Sequence, residues 1–219
     1  MRGWVNYMRR FGDEDFLFLG GKHYCDWLAL DAGGGQYRGA TQSDLIATAF
    51  FAHSTDLLIR AGRVLGEEVT EYEELYKNVR EAFRRAFMKD GLPTLYPKGD
   101  GLTTERPVSG LTQTAIVLIL KFGLCEESEK AALTDKLVEI IDKNQGRMST
   151  GFVGTPYILH ALSENGRADK AFDLLLSEKA PSWLFSVNMG ATTIWEHWDG
   201  INEEGEFWSD NMNSFNHYA

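Results

Sequence analysis

Residues 112–143 read TQTAIVLILKFGLCEESEKAALTDKLVEIIDK, and two kinds of helix stand next to each other in that stretch. The first, 112–122, is apolar on every side of a helical wheel, so it requires burial all round. The second, 127–143, sets Leu133, Leu137, Ile140 and Ile141 on one stripe opposite charged residues, the pattern of a helix with one wet face. The same pairing occurs upstream. Residues 43–65 follow a capping candidate, Thr41 or Ser43, and open with the apolar run LIATAFFA, whereas 68–88 space Tyr72, Leu75, Val79, Phe83 and Phe87 by three and four until Asp90-Gly91 ends the pattern. Downstream, Thr155-Pro156 is a cap followed by proline at the first helical position, and that helix stops at Asn165-Gly166. Residues 167–179, with Ala171, Leu174 and Leu175 inward, complete a third hairpin. Buried helices alternating with half-exposed ones across short turns predict two concentric layers in a single all-α unit. Residues 92–110, rich in proline and glycine, have room for a small hairpin at most.

Composition narrows the partners. A hydrophobic content of 43% with 25% charged residues is that of an ordinary soluble globular chain. A formal net charge of −10 argues against a nucleic-acid partner, which needs clustered Lys and Arg, and against an anionic membrane surface. The longest strongly apolar run, Ala115 to Leu120, is far short of the ~20 residues of a membrane span. The opening MRGWVNYMRR lacks the apolar core of a secretory signal, which favours the cytoplasm slightly and leaves the location unassigned. Cys25 and Cys125 have no metal-ligand spacing and read as two buried thiols. A phosphate loop, an HExxH helix and a G-x-S-x-G elbow are all missing. His160 and Glu164 share a helix face that reads as solvated, and Glu105-Arg106 reads as a surface ion pair.

The chemistry gathers near the end. Gly190 to Gly200, GATTIWEHWDG, sets Glu196 between Trp195 and Trp198, with His197 and Asp199 beside it, and a second polar-aromatic cluster runs from Asn213 to Tyr218. Four of the six tryptophans, Trp183, Trp195, Trp198 and Trp208, fall in the last forty residues. Flat aromatic faces beside acids and amides suit a sugar, which offers apolar C–H faces and a rim of hydroxyls. Glu196 reads as a general acid or base from which indoles exclude water, or else as a structural carboxylate held by backbone amides. His217 reads as a partner for a ligand hydroxyl or as a structural histidine. Asp26-Trp27 repeats the acid-plus-indole pairing and is able to reach the same cleft, and Asp199 either binds substrate or caps the turn at Gly200.

With these residues in view, the chain resembles the catalytic domain of bacterial α-L-rhamnosidases. The resemblance rests on STGFVGTPYILHALSENGRADKAFDLLL (Ser149–Leu176), PSWLFSV, ATTIWEHWDG and MNSFNHYA, with CDWLALD, GATQSDLIATAFFAHSTDLL and Leu111-Thr112-Gln113-Thr114-Ala115 upstream. It implies an all-α fold, a partial (α/α)6 toroid of about eight helices in two layers, with residues 1–219 forming an incomplete six-hairpin glycosidase domain. It implies hydrolysis of terminal α-L-rhamnosides with inversion, with Glu196 as the general base and no cofactor or metal. His217, Trp27, Asp26, Trp195 and Trp198 are implied to bind the sugar. Two positions depart from the family pattern: Cys25 stands where glycine commonly precedes Asp-Trp, and His197 stands where arginine often follows the base. Nothing matches the family's general-acid segment, D-x-P-x-R-D-E-R-x-G-W. The chain is therefore expected to hydrolyse little aryl rhamnoside unless Asp26 or Asp210 replaces the acid. It is also expected to self-associate through an open apolar edge. The alternative is a non-catalytic carbohydrate-binding or helical interaction module, or another toroid sugar enzyme such as a lyase or epimerase.

Overall fold

The computed structural model describes residues 1–12, 15–20, 23–33, 35–98, 107–209 and 214–217. The readings placed on Glu105-Arg106, Asp210, Asn213 and Tyr218 lie outside the described residues. Eight α-helices appear among them: α1 (Arg2–Phe11), α2 (Ser43–Val64), α3 (Thr70–Phe87), α4 (Gln113–Lys121), α5 (Lys130–Lys143), α6 (Thr155–Glu164), α7 (Ala168–Leu175) and α8 (Trp183–Asn188). Short 3-10 turns cover Leu30–Ala32 and Glu127–Glu129, and two strands, β1 (Met88–Lys89) and β2 (Leu92–Pro93), pair antiparallel.

Burial follows the two helix types. Every residue of α4 from Gln113 to Leu120 is buried, because the helix has neighbours all around it. It packs against its hairpin partner α5 and also against α2 and α6. α3 buries one stripe, Tyr72, Leu75, Val79, Ala82, Phe83 and Phe87, against α2. α5 buries Leu133, Leu137 and Ile141, and α7 buries Ala171 and Leu174 against α6. The helices α2, α4 and α6 thus form an inner row, with α3, α5 and α7 wrapped outside them. This is the predicted all-α arrangement, part of an α/α toroid in two layers. The outer row is tied down by polar bonds as well. Arg80 donates to the Gly123 and Cys125 carbonyls at 2.8 and 2.7 Å, and Arg84 grips Glu129 bidentately at 2.6 and 3.0 Å. On α1, Val5 and Met8 face the core, while Trp4, Tyr7 and Phe11 stack on one another in solvent.

Several local expectations are corrected. Neither Thr41 nor Ser43 caps α2, whose N-cap is Gln42. The Thr41 hydroxyl instead meets that of Thr112 at 2.7 Å, and Ser43 Oγ lies 2.9 Å from Cys25 Sγ, so tertiary partners take the groups a local cap would use. At α6 the N-cap is Gly154, and Thr155 is the first helical residue. A Cβ at Gly154 would lie 2.6 Å from Thr114 Oγ1, so glycine is what lets this turn approach α4. Leu175 is 38% exposed rather than inward, because α7 ends there. Asp90 and Gly91, with φ of 52° and 77°, form the two-residue turn between β1 and β2, so the hairpin starts earlier than residues 92–110. Cys25 and Cys125 are buried free thiols. Among the described residues no helix is long and apolar enough to cross a membrane.

Candidate active site

The site is built on Asp26-Trp27. Trp27 bridges Arg38, the Leu28 N–H donates to the Tyr37 carbonyl at 2.7 Å, and the Phe152 N–H donates to the Trp27 carbonyl at 3.0 Å. The backbone bends at Asp26 between two residues with left-handed φ, Cys25 at 60° and Leu28 at 59°. Trp27 faces the cleft described below, and Asp26 faces the interior with no solvent exposure. Asp26 Oδ1 accepts from the Val153 and Gly154 N–H groups at 2.9 and 3.3 Å, and Oδ2 accepts from the Gly151 N–H at 2.9 Å and from the Thr114 hydroxyl. Asp26, expected from the resemblance to bind sugar, is therefore buried and absent from the lining of that cleft. The turn that leads into α6 carries N–H groups beyond the reach of water, and the carboxylate satisfies them while sitting at the positive end of the helix. Burial pushes the Asp26 carboxyl above its usual range, with the four hydrogen bonds opposing that rise.

A cleft of about 330 Å³ opens above this brace. Trp27, Trp195, Trp198 and Glu196 all line it. The Trp198 indole N–H donates to the Thr150 carbonyl at 3.1 Å and its ring meets Trp183 edge-on, so this wall is held in place. Trp195 is set edge-on against Phe215. The Glu196 carboxylate lines the cleft and accepts no hydrogen bond from the described residues. Among the described residues that line the cleft, Glu196 is the only carboxylate, and His160 is the only other titratable side chain.

The second cluster lies along the first. The Glu196 N–H donates to the Ser214 carbonyl and the His217 N–H to the Ile194 carbonyl, each at 2.9 Å. His217 does not line the cleft itself. Its ring packs on Phe152, which does, and its ring nitrogens have no partner among the described residues. Asp199 Oδ1 lies 3.2 Å from Nδ1 of the buried His197, whose ring stacks on Trp208. Both Asp199 and Trp208 are thus engaged away from the cleft.

A family model for the bacterial alpha-L-rhamnosidase 6 hairpin glycosidase domain matches residues 1–219. The chain belongs to this family. Over its full length it is 37% identical to an alpha-L-rhamnosidase of Streptomyces avermitilis and 41% identical to one of Formosa agariphila, covering 19% and 22% of those proteins. The crystal structure of the Streptomyces avermitilis alpha-L-rhamnosidase complexed with L-rhamnose superposes with a TM-score of 0.83 at 36% identity, covering all of this chain and 19% of that one. The native Aspergillus terreus enzyme gives a TM-score of 0.81 at 28% identity over 99% of this chain and 25% of that one. The chain spans about a fifth of the length of the curated relatives it matches.

In this rhamnosidase-family domain, Glu196, Trp27, Trp195 and Trp198 meet in one cleft, whereas Asp26 lies beneath it and His217 one ring away. Trp183, one of the late tryptophans, lines it too, as do Leu159 and His160, which the sequence pattern did not place there. The available signal was spacing. Pro156, Leu159 and His160 on α6, and Trp183, Ser186 and Val187 on α8, each follow the i, i+3, i+4 pattern of one helix face, and both faces line the cleft. Among the described residues no three His, Cys, Asp or Glu side chains are grouped to hold a metal ion.

Proposed function

We propose that this domain serves the hydrolysis of terminal α-L-rhamnosides with inversion, and that Glu196 is the general base. The observation that carries this reading is Glu196, the cleft's one carboxylate and one without a hydrogen-bond partner among the described residues, set with Trp27, Trp195 and Trp198 in a rhamnosidase-family domain. Glu196 takes a proton from water as the water oxygen attacks the anomeric carbon, and the leaving oxygen departs from the opposite face. The indoles receive the C–H faces of the sugar, and His217 offers a ring nitrogen to a hydroxyl at the rim. Inversion uses a second carboxyl group across the bond as the acid, ~6.5–9.5 Å away. The described cleft lining does not supply one, and the base half of the chemistry is what we assign to this domain.

The test separates the two halves. α-L-Rhamnosyl fluoride loses fluoride without needing a proton, so the base alone suffices, whereas methyl and phenyl α-L-rhamnosides need the acid. The chain is expected to convert the fluoride to inverted L-rhamnose, to leave the methyl and phenyl glycosides nearly untouched, and to lose about 10²–10⁴-fold of fluoride turnover in Glu196→Gln. Fluoride turnover unchanged in Glu196→Gln, or a product of retained configuration, overturns the proposal.

A further inference from the structure

The aromatic walls of the cleft are held in different ways. Trp183 and Trp198 pack against the hydrophobic core. The Trp27 ring is flanked instead by Tyr24 and Tyr37, which are 70% and 39% exposed. From Trp27 a run of rings leads to the Glu196 segment. Trp27 stacks on Tyr37 with centroids 5.3 Å apart, Tyr37 meets Trp208 edge-on at 5.4 Å, and Trp208 stacks on His197 at 4.1 Å. His197 is buried, directly follows Glu196, and has Nδ1 3.2 Å from Asp199 Oδ1. Each end of the run is built locally. The Leu28 N–H bond to the Tyr37 carbonyl and the bridge between Trp27 and Arg38 return Tyr37 to Trp27. A tight loop returns Trp208 to His197: Ile201 bridges Phe207, Asn202 Oδ1 accepts from the Glu204 and Glu206 N–H groups at 3.1 and 2.8 Å, and the Trp208 N–H donates to the Gly200 carbonyl at 3.1 Å. The Tyr37–Trp208 contact joins these two loops, and neither ring lines the cleft.

We propose that Tyr37 and Trp208 are a positioning pair that sets the Trp27 wall, and the sugar resting on it, against the Glu196 carboxylate, with His197 passing the contact to the base. Edge-on rings have a preferred separation and angle, so the pair fixes a spacing as well as burying area. A base that acts through a water needs that spacing, since a misplacement of ~1 Å costs about 10²-fold in rate. The proposal rests on the Glu196 reading and goes beyond it by naming residues behind the cleft that align its two sides.

The experiment measures α-L-rhamnosyl fluoride turnover and calorimetric L-rhamnose binding by the 219-residue chain in Tyr37→Ala, Trp208→Ala, the double variant and Tyr37→Phe. Turnover is referred to the number of binding sites titrated, so unfolded protein does not count as slow protein. In each alanine variant kcat is expected to fall about 10–100-fold while L-rhamnose affinity stays within about threefold. The double variant is expected within about twofold of the slower single one, because both lose the same contact. Tyr37→Phe keeps the ring and is expected to recover kcat to within about threefold of wild type. An unchanged kcat per site, losses that multiply in the double variant, an affinity that falls in step with kcat, or Tyr37→Phe as slow as Tyr37→Ala overturns the pair and leaves the Glu196 reading standing. Wild type that leaves the fluoride intact removes the Glu196 reading itself, and the positioning role with it.

Discussion

Replacing Asp26 should damage the fold first and the cleft only through it. The side chain is fully buried and accepts from three backbone N–H groups and one hydroxyl, drawn from α4 and from the turn that starts α6. Asp26→Ala leaves those donors without an acceptor, and an unsatisfied buried donor costs about 1–3 kcal/mol. Water entering the vacated space recovers part of this, so the net loss is about 3–5 kcal/mol, the range seen when one partner of a buried charged network is removed. For a domain of this size that is a Tm decrease of roughly 6–20 °C. Asp26→Asn keeps one acceptor and turns an amide against the remaining donors, so about 1–3 kcal/mol is expected. Urea and thermal unfolding give these values, and L-rhamnose titration of the same variants distinguishes a brace from a ligand. A brace lowers Tm in both variants, whereas a ligand lowers affinity at constant Tm. An Asp26→Ala protein that melts within 2 °C of wild type, by the same ~2–4 °C per kcal/mol scale, refutes the brace. The pH dependence has a definite sign. Because burial raises this carboxyl above 3.8, the folded state holds the proton to higher pH than the unfolded chain. The stability of wild type relative to Asp26→Asn is therefore greatest below about 3.8 and declines as pH rises through the raised value.

Two further substitutions test the surroundings. A Cβ at Gly151 would run into the Trp27 carbonyl oxygen and lie 2.6 Å from the Ala29 nitrogen, so Gly151→Ala must separate the Trp27 segment from the turn before α6. A loss of about 1–3 kcal/mol or more in urea unfolding is expected, and wild-type stability would contradict this close approach. His53 stacks flat on Phe122 at 4.0 Å, and loss of water around it lowers its pKa below 6.5. The neutral ring is the form the fold favours, so its contribution is present above 6.5 and is lost as pH falls through the lowered value. Stability compared at about pH 7.5 and about pH 5.5 should fall more in wild type than in His53→Phe, and equal falls would count against the reading.

The helices were legible because their stripes repeat over many residues. The full apolar wheel of α4 and the single stripe of α3 require different numbers of packed neighbours, and that difference alone implies an inner and an outer row. Helix starts were less legible. Thr41, Ser43 and Thr155 are good caps by type, yet their hydroxyls meet Thr112, Cys25 and Thr150, residues outside the helices they precede or open. The cleft was legible where aromatic and acidic residues are close in sequence, as around Glu196. It was not legible where one lining residue comes from each turn of α6 and α8, since such spacing is shared by every buried helix face.

By itself the sequence determined the helix types, their two-layer arrangement, the family, and the joint presence of Glu196 with its tryptophans. All of these depend on residue type and short-range spacing. Only the tertiary structure decided which member of Asp26-Trp27 faces the cleft and which the core, because that choice depends on which donors pack against the segment. Three N–H groups from a turn more than a hundred residues away settle it, making Asp26 a brace and Trp27 a wall.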